Sequence, residues 1–457
     1  MKSRIFMLIA VLCMLVQSCK KESTDVTQDQ QLTQLNSKKA ALNTFDPING
    51  QVKIAIVSDI HYISPSLVTN NGFAGQAFQT YLATDPKLIE FSKPLLLEVI
   101  DELKKARPDL VLIPGDLTKD GEKLSHEDMK AYLSELESNG MKVYVVPGNH
   151  DINNPEARRY DGDNASLTDH ITKEQFMSNY SEFGYGTNDP TIKSRDVNSL
   201  SYVAEPFKGV WILALDPLRY EENTTTAITP GRIKESTMDW ILTVLNEARN
   251  SHITVLGLMH HNLVEHYQYQ TVLDPGYVIE NWEQRASQLL GAGLRVIFTG
   301  HYHASDITPF YNNGQVLYDI QTGSPVEPPS TYRIVTLKNK DLDVSTFRIT
   351  SVNAPIPGGM SFVNYSNMFL SQHLDGYFNY VIPLVFPGTS PELVQYAAPL
   401  YRNAVMAHFA GDEKISPDQQ RKIDSLPNSM LKIGVMSFWT DLGINDNKVP
   451  LKNITVQ

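Results

Sequence analysis

Five short polar clusters hold the residues of this chain that could do chemistry. They are Asp59-Ile60-His61, Gly115-Asp116, Gly148-Asn149-His150-Asp151, His260-His261 and Gly300-His301-Tyr302-His303. Their donors are carboxylate and amide oxygens and imidazole nitrogens, with no thiolate among them. Carboxylate and imidazole together suit Mn, Fe or Zn, whereas an all-oxygen set would point to Mg or Ca. A carboxylate bridging two such cations holds them about 3.5–4 Å apart. That spacing permits a shared hydroxide at neutral pH, a nucleophile that needs neither a serine nor a cysteine.

Each cluster follows an apolar run: Ile54-Ala55-Ile56-Val57, Leu110-Val111-Leu112-Ile113, Val143-Tyr144-Val145-Val146, Ile253 to Met259, and Arg295-Val296-Ile297-Phe298. Runs of this length bounded by Gly or Pro read as buried strands. The clusters then fall where strands end, the edge of an open α/β sheet at which ligands bind. Helical segments at Ser125 to Gly140, Ser236 to Ala248 and Trp282 to Leu290 are each followed by a strand, which favours repeated βα units over an all-β sandwich. Ser125 is expected to cap the first of these, leaving His126 in a solvated first turn. His266 and His408 are read as surface or structural.

Taken singly, each cluster is compatible with ordinary turn chemistry, which favours Gly, Asn and Asp. Taken together they resemble the signature of the calcineurin-like metallophosphoesterase superfamily: D-x-H, G-D, G-N-H-[DE], H and G-H-x-H. Every element occurs in order from Asp59 to His303. The resemblance implies an α/β fold, a β-sheet sandwich flanked by helices, and two divalent or trivalent metal ions drawn from Mn, Fe or Zn. Carried over motif by motif, Asp59, His61, Asp116 and His303 would hold the first metal. Asp116 would bridge to the second, completed by Asn149, His260 and His301. His260 is preferred to His261 because it directly follows its strand. His150 would be no ligand, but would stabilise charge on the phosphoryl group or protonate the leaving oxygen, with Asp151 orienting it. Tyr62, Arg158 and Tyr302 are candidate substrate contacts, and Asp216 a candidate support or a plain turn residue.

The stretch Gly115-Asp116-Leu117-Thr118-Lys119-Asp120-Gly121 looks like the class III cyclic nucleotide phosphodiesterase branch. The resemblance thus implies a phosphodiesterase acting on cyclic nucleotides or related small diesters. A phosphomonoesterase or nucleotidase with the same metals is the alternative. A non-catalytic surface binding protein on this scaffold would be expected to lack a ligand, and none is missing.

The chain has 457 residues and a formal net charge of −12, which argues against binding a nucleic-acid polymer but not against a small phosphorylated substrate. Residues 1–18 read as a signal peptide: Lys2 and Arg4 precede an apolar stretch, Ile5 to Val16, that is too short to span a bilayer. Val16-Gln17-Ser18-Cys19 resembles a bacterial lipoprotein signal, with Cys19 as the lipidated residue. The expected location is the cell envelope, anchored by lipid, with Lys20 favouring the outer membrane. Residues 19–46 read as a flexible tether. Residues 47–354 form the expected catalytic domain. Beyond Pro355-Ile356-Pro357-Gly358-Gly359 the strand rhythm stops, and residues 355–457 read as a mainly helical domain with helix starts at Ser390-Pro391 and Ser416-Pro417.

Overall fold

The computed structural model describes residues 50–454; the expected signal peptide, Cys19 and the expected tether lie outside the described residues. Among the described residues sixteen strands, numbered here in chain order, form three sheets. The first runs in the spatial order β16 (Lys448–Leu451), β15 (Asp341–Arg348), β14 (Thr331–Lys338), β1 (Gln51–Ile56), β3 (Leu110–Pro114) and β4 (Lys142–Val146). The second runs β12 (Asp306–Asn312), β13 (Gln315–Gln321), β11 (Val296–Thr299), β10 (Thr254–Met259), β9 (Val210–Leu215), β8 (Tyr202–Phe207) and β7 (Ile192–Arg195). A small third sheet joins β2 (Val68–Thr69), β5 (Arg158–Asp161) and β6 (Asn164–Leu167).

The centre of each large sheet is parallel: β1 beside β3 beside β4 in one, β9 beside β10 beside β11 in the other. Parallel strands align their carboxyl ends, so all five polar clusters emerge where these strands finish. Period-two alternation explains the layering. Tyr202, Ala204, Ile212 and Ala214 face the core shared with Ile54, Ile56, Leu112 and Val145 of the first sheet. Their neighbours Val203, Leu213 and Leu215 face the opposite way, against the helices Glu235–Asn250 and Trp282–Ala292. Both faces of the second sheet are thus buried, which is why its strands read as continuous apolar runs.

The helix expected at Ser125 begins earlier and spans Lys123–Ser138. Ser125 does not cap it, because its Oγ accepts the Ser64 amide at 3.1 Å. The later helix starts fall where Ser-Pro pairs place them: Ser390 accepts the Leu393 amide at the head of Pro391–Ala410, and Ser416 forms a reciprocal cap with Gln419 at Pro417–Asp424. Helices Phe362–Val385, Pro391–Ala410 and Ser429–Trp439 pack around Leu370, Tyr401, Leu431 and Val435. Beyond them the chain returns to the first sheet, where β16 pairs antiparallel with β15. The tail is therefore helical but not detached. Among the described residues no helix is long and apolar enough to cross a membrane.

Candidate metal centre

The clusters expected from the sequence converge. Asp59 and His61 follow β1, Asp116 follows β3, Asn149 follows β4, His260 follows β10, and His301 and His303 follow β11. Asp59, His61 and His303 present donor atoms within 4.8 Å of one another, as do Asp116, His260 and His301. Asp116 lies between the two groups: its Oδ2 is 3.5 Å from His61 Nε2 and 3.4 Å from His260 Nε2. Asn149 Oδ1 is 3.0 Å from His260 Nε2, and His61 Nε2 is 3.1 Å from His303 Nε2.

Local backbone puts these side chains where they are. Asp59, His61, Asp116, His301 and His303 all have positive φ, between 44° and 72°. Each such non-glycine residue costs about 1–2 kcal/mol, and clustering of strain of this kind is a mark of functional sites. The glycines beside them answer a need for space. A Cβ on Gly148 would overlap Asp116, and one on Gly300 would overlap Ser58 and Asp59. At both positions the backbone of one cluster lies directly on a carboxylate of another.

The donor set fits cations. His260 Nδ1 lies 2.8 Å from the Pro114 carbonyl and His301 Nε2 lies 3.2 Å from the Gly276 carbonyl. A carbonyl can only accept, so those nitrogens donate, and in the neutral rings His260 Nε2 and His301 Nδ1 are left with lone pairs. His303 Nδ1 is held in the same way by the Glu327 carboxylate. Three imidazoles are therefore fixed from behind, as metal-ligating histidines are.

The electrostatics agree. Burial holds His61 and His301 well below the usual histidine range. At His260 the cost of burial is outweighed by Asp116 and Asp59, which bring it up to about 9. At His303 burial is likewise outweighed, by Asp59 and Glu327, again to about 9. The pocket carries enough negative charge to favour a cation or, failing that, a proton.

His150 occupies a different position. Its side chain is 25% exposed, at the mouth of the otherwise buried cluster, with Nε2 4.0 Å from Asp116 Oδ2. Its Nδ1 pairs with Asp120 Oδ1 at 2.9 Å. Asp120 also holds Lys119, whose ammonium sits 4.2 Å from the Tyr81 ring centroid. Against the cost of burial, Asp116 and Asp120 raise His150 above its ordinary value.

The orienting role expected of Asp151 is corrected here. Asp151 is fully buried and accepts from the Gly148, Leu117 and Thr118 amides and from Thr118 Oγ1, at 2.8–3.1 Å. It ties the β3 and β4 turns together, and Asp120 takes the place beside His150. Tyr62 and Tyr302 are also corrected. The Tyr62 hydroxyl donates to Asp128 at 2.8 Å, and the Tyr302 hydroxyl to Asp274 at 2.9 Å, both in buried packing. Arg158 lies exposed on β5 in the small third sheet. Asp216 closes a turn by accepting the Leu200 and Leu218 amides at 2.9 and 3.0 Å. His126 is buried rather than solvated, bonded to the Asp151 carbonyl at 2.9 Å and to the Tyr180 hydroxyl at 2.6 Å. His261 points elsewhere than His260, with Nε2 donating to the Thr229 carbonyl at 2.7 Å.

Two residues escaped the sequence reading. Asp120 lies within the stretch that begins with Gly115-Asp116, and an acid four residues past a ligand is a usable signal. Glu327 has none, since nothing in its spacing links it to His303. Glu327→Gln should weaken metal affinity about 10–100-fold, the usual effect of losing an outer partner of a ligating histidine. Metal titration of the purified variant checks this, and an unchanged affinity would remove Glu327 from the site.

Seven donors from five strand ends, on two facing sheets, define a candidate centre of the metallophosphoesterase class. A family model described as calcineurin-like phosphoesterase matches residues 52–305, more than half of the chain, and the chain belongs to that family. A 3′,5′-cyclic-nucleotide phosphodiesterase from Nostoc sp. is 31% identical over 102 residues, 22% of this chain and 31% of that protein. The match thus spans about a third of that relative's length. Among solved structures, a dimetal phosphatase from Danio rerio aligns with 65% of this chain and 95% of its own, at 15% identity and a TM-score of 0.44.

Proposed function

We propose that the chain is a binuclear-metal phosphodiesterase acting on cyclic nucleotides or related small phosphodiesters. The observation that carries the reading is the convergence of Asp59, His61, Asp116, Asn149, His260, His301 and His303, with His150 at their solvent-facing edge. Bound divalent cations there would supply a nucleophile from water near neutral pH and neutralise charge on phosphoryl oxygens. Asp116, placed between the two donor groups, is the residue suited to serve both. His150, held by Asp120, can donate a proton at Nε2 to a phosphoryl or leaving oxygen. The similarity to the Nostoc phosphodiesterase supports the choice of diester over monoester. Export and lipid anchoring at Cys19 would direct this hydrolysis to substrates outside the cytoplasm.

The test is a substrate panel with the Mn-loaded enzyme, comparing cyclic nucleotides, bis(p-nitrophenyl) phosphate and nucleoside monophosphates. Diester turnover is expected to exceed monoester turnover. Monoester hydrolysis alone would assign a phosphomonoesterase, and no hydrolysis at all would favour a binding protein on this scaffold.

A further inference from the structure

A second cluster of acidic groups lies where the C-terminal segments meet the second sheet, and the proposed reaction has no use for it. Asp306 opens β12 and is fully buried. Its Oδ1 is taken by His266 Nδ1 at 2.6 Å and Thr308 Oγ1 at 2.8 Å, while its Oδ2 is buried with no hydrogen-bond partner. That oxygen points towards the C-terminal segments, 3.8 Å from His408 Nδ1. Asp306, Asp441 and Asp446 each present an oxygen within 4.8 Å of one another, and Asp306, His408 and Glu413 form a second such group.

The charges do not balance within the cluster. His266 lies between Asp306 and Asp319, 3.2 Å from the latter, and the two carboxylates overcome burial to bring it up to about 10. Arg333 is buried alongside, but donates to the Asp446 and Asp306 carbonyls and not to their carboxylates. Two cations thus face five carboxylates: Asp306, Asp319, Glu413, Asp441 and Asp446. Burial, then repulsion from Asp306, pushes Glu413 up to about 10, and burial with the same repulsion does so for Asp446. Acids crowded in this way either keep their protons or take up something positive in their place.

We propose that Asp306, Glu413, Asp441 and Asp446 bind a hard divalent cation of the Ca²⁺ type, distinct from the catalytic pair. Oxygen donors in a set this acidic suit Ca²⁺, which accepts irregular geometry and several protein carboxylates. Mg²⁺ keeps more of its water. Asp441 is exposed and gives the ion a route in, while Asp306 forms the floor. The ion would clamp three elements already in contact. The Ser305 amide donates to the Phe409 carbonyl at 3.1 Å, and Asn447 Nδ2 donates to the Ala410 carbonyl at 3.0 Å. It would also steady the segment beginning three residues after His303.

The experiment is calorimetric titration of the Mn-loaded full chain with Ca²⁺, together with thermal melting. One Ca²⁺ per chain is expected, with a higher melting temperature and no loss of Mn. Asp441→Asn, an isosteric change at an exposed position, should weaken Ca²⁺ binding about tenfold or more while keeping Mn content and turnover. Asp441→Asn combined with Asp446→Asn should abolish the melting shift. Absence of saturable Ca²⁺ binding, release of Mn by Ca²⁺, or wild-type Ca²⁺ affinity in Asp441→Asn would each overturn the proposal. None of these outcomes bears on whether the enzyme hydrolyses diesters.

Discussion

Asp116→Asn is expected to abolish phosphoester hydrolysis, with a loss of about 10³-fold or more and a drop in bound metal. Losing a residue that merely supports a ligand costs about 10–100-fold, and Asp116 faces both donor groups at once. Its Oδ2 is 3.5 Å from His61, 3.4 Å from His260 and 4.0 Å from His150, and its Oδ1 accepts the His150 amide at 2.9 Å. An asparagine keeps the shape and the amide contact but removes the negative charge at the centre of three imidazoles. Elemental analysis of purified wild type and variant, alongside turnover, reads the outcome directly. Full metal content with full activity would show that Asp116 is not the shared residue.

The second large effect is expected at His150. His150→Ala should retain its metal while turnover falls about 10²–10⁴-fold, the range for a positioned proton donor. The loss should be greatest for substrates with poor leaving groups and smallest for nitrophenyl esters, whose leaving oxygen needs little protonation. Asp120→Asn should give a smaller fall of the same pattern, since it removes the negative charge beside Nδ1 and leaves Nε2 in place. Loss of metal from His150→Ala would make His150 a ligand. An equal loss on all leaving groups would confine it to charge stabilisation.

Much of this architecture was legible because its signals are short-range. Apolar runs announced β1, β3, β4, β10 and β11, and a polar cluster directly after each run marks the strand end; the resemblance to the metallophosphoesterase signature then singled out seven candidate donors among those clusters. What could not be read depends on pairings across long separations or on the direction of a side chain within a turn. Glu327 meets His303 from the loop that joins β13 of the second sheet to β14 of the first. The resemblance made Asp151, the last residue of the Gly-Asn-His-Asp motif, the expected partner of His150. In the folded turn it faces the amides of Gly148, Leu117 and Thr118, and the imidazole turns towards Asp120. Tyr62 and Tyr302 were misjudged for the same reason: each adjoins a ligand in sequence but points into packing. At the C-terminus, the four-residue strand β16 is too short to announce itself, and it gains its stability from the register with β15.

The amide of His301, on the second sheet, donates to both carboxylate oxygens of Asp59, on the first, at 3.1 and 3.0 Å. Each layer carries only part of the centre, Asp59, His61, Asp116 and Asn149 on the first and His260, His301 and His303 on the second, so the complete set of donors exists only once the layers have docked. A ligand that binds only the finished state adds about 1.4 kcal/mol of stability for each tenfold rise in its free concentration above the dissociation constant. The lifetime of the folded chain would then track the metal supply of its surroundings as well as the quality of its own core.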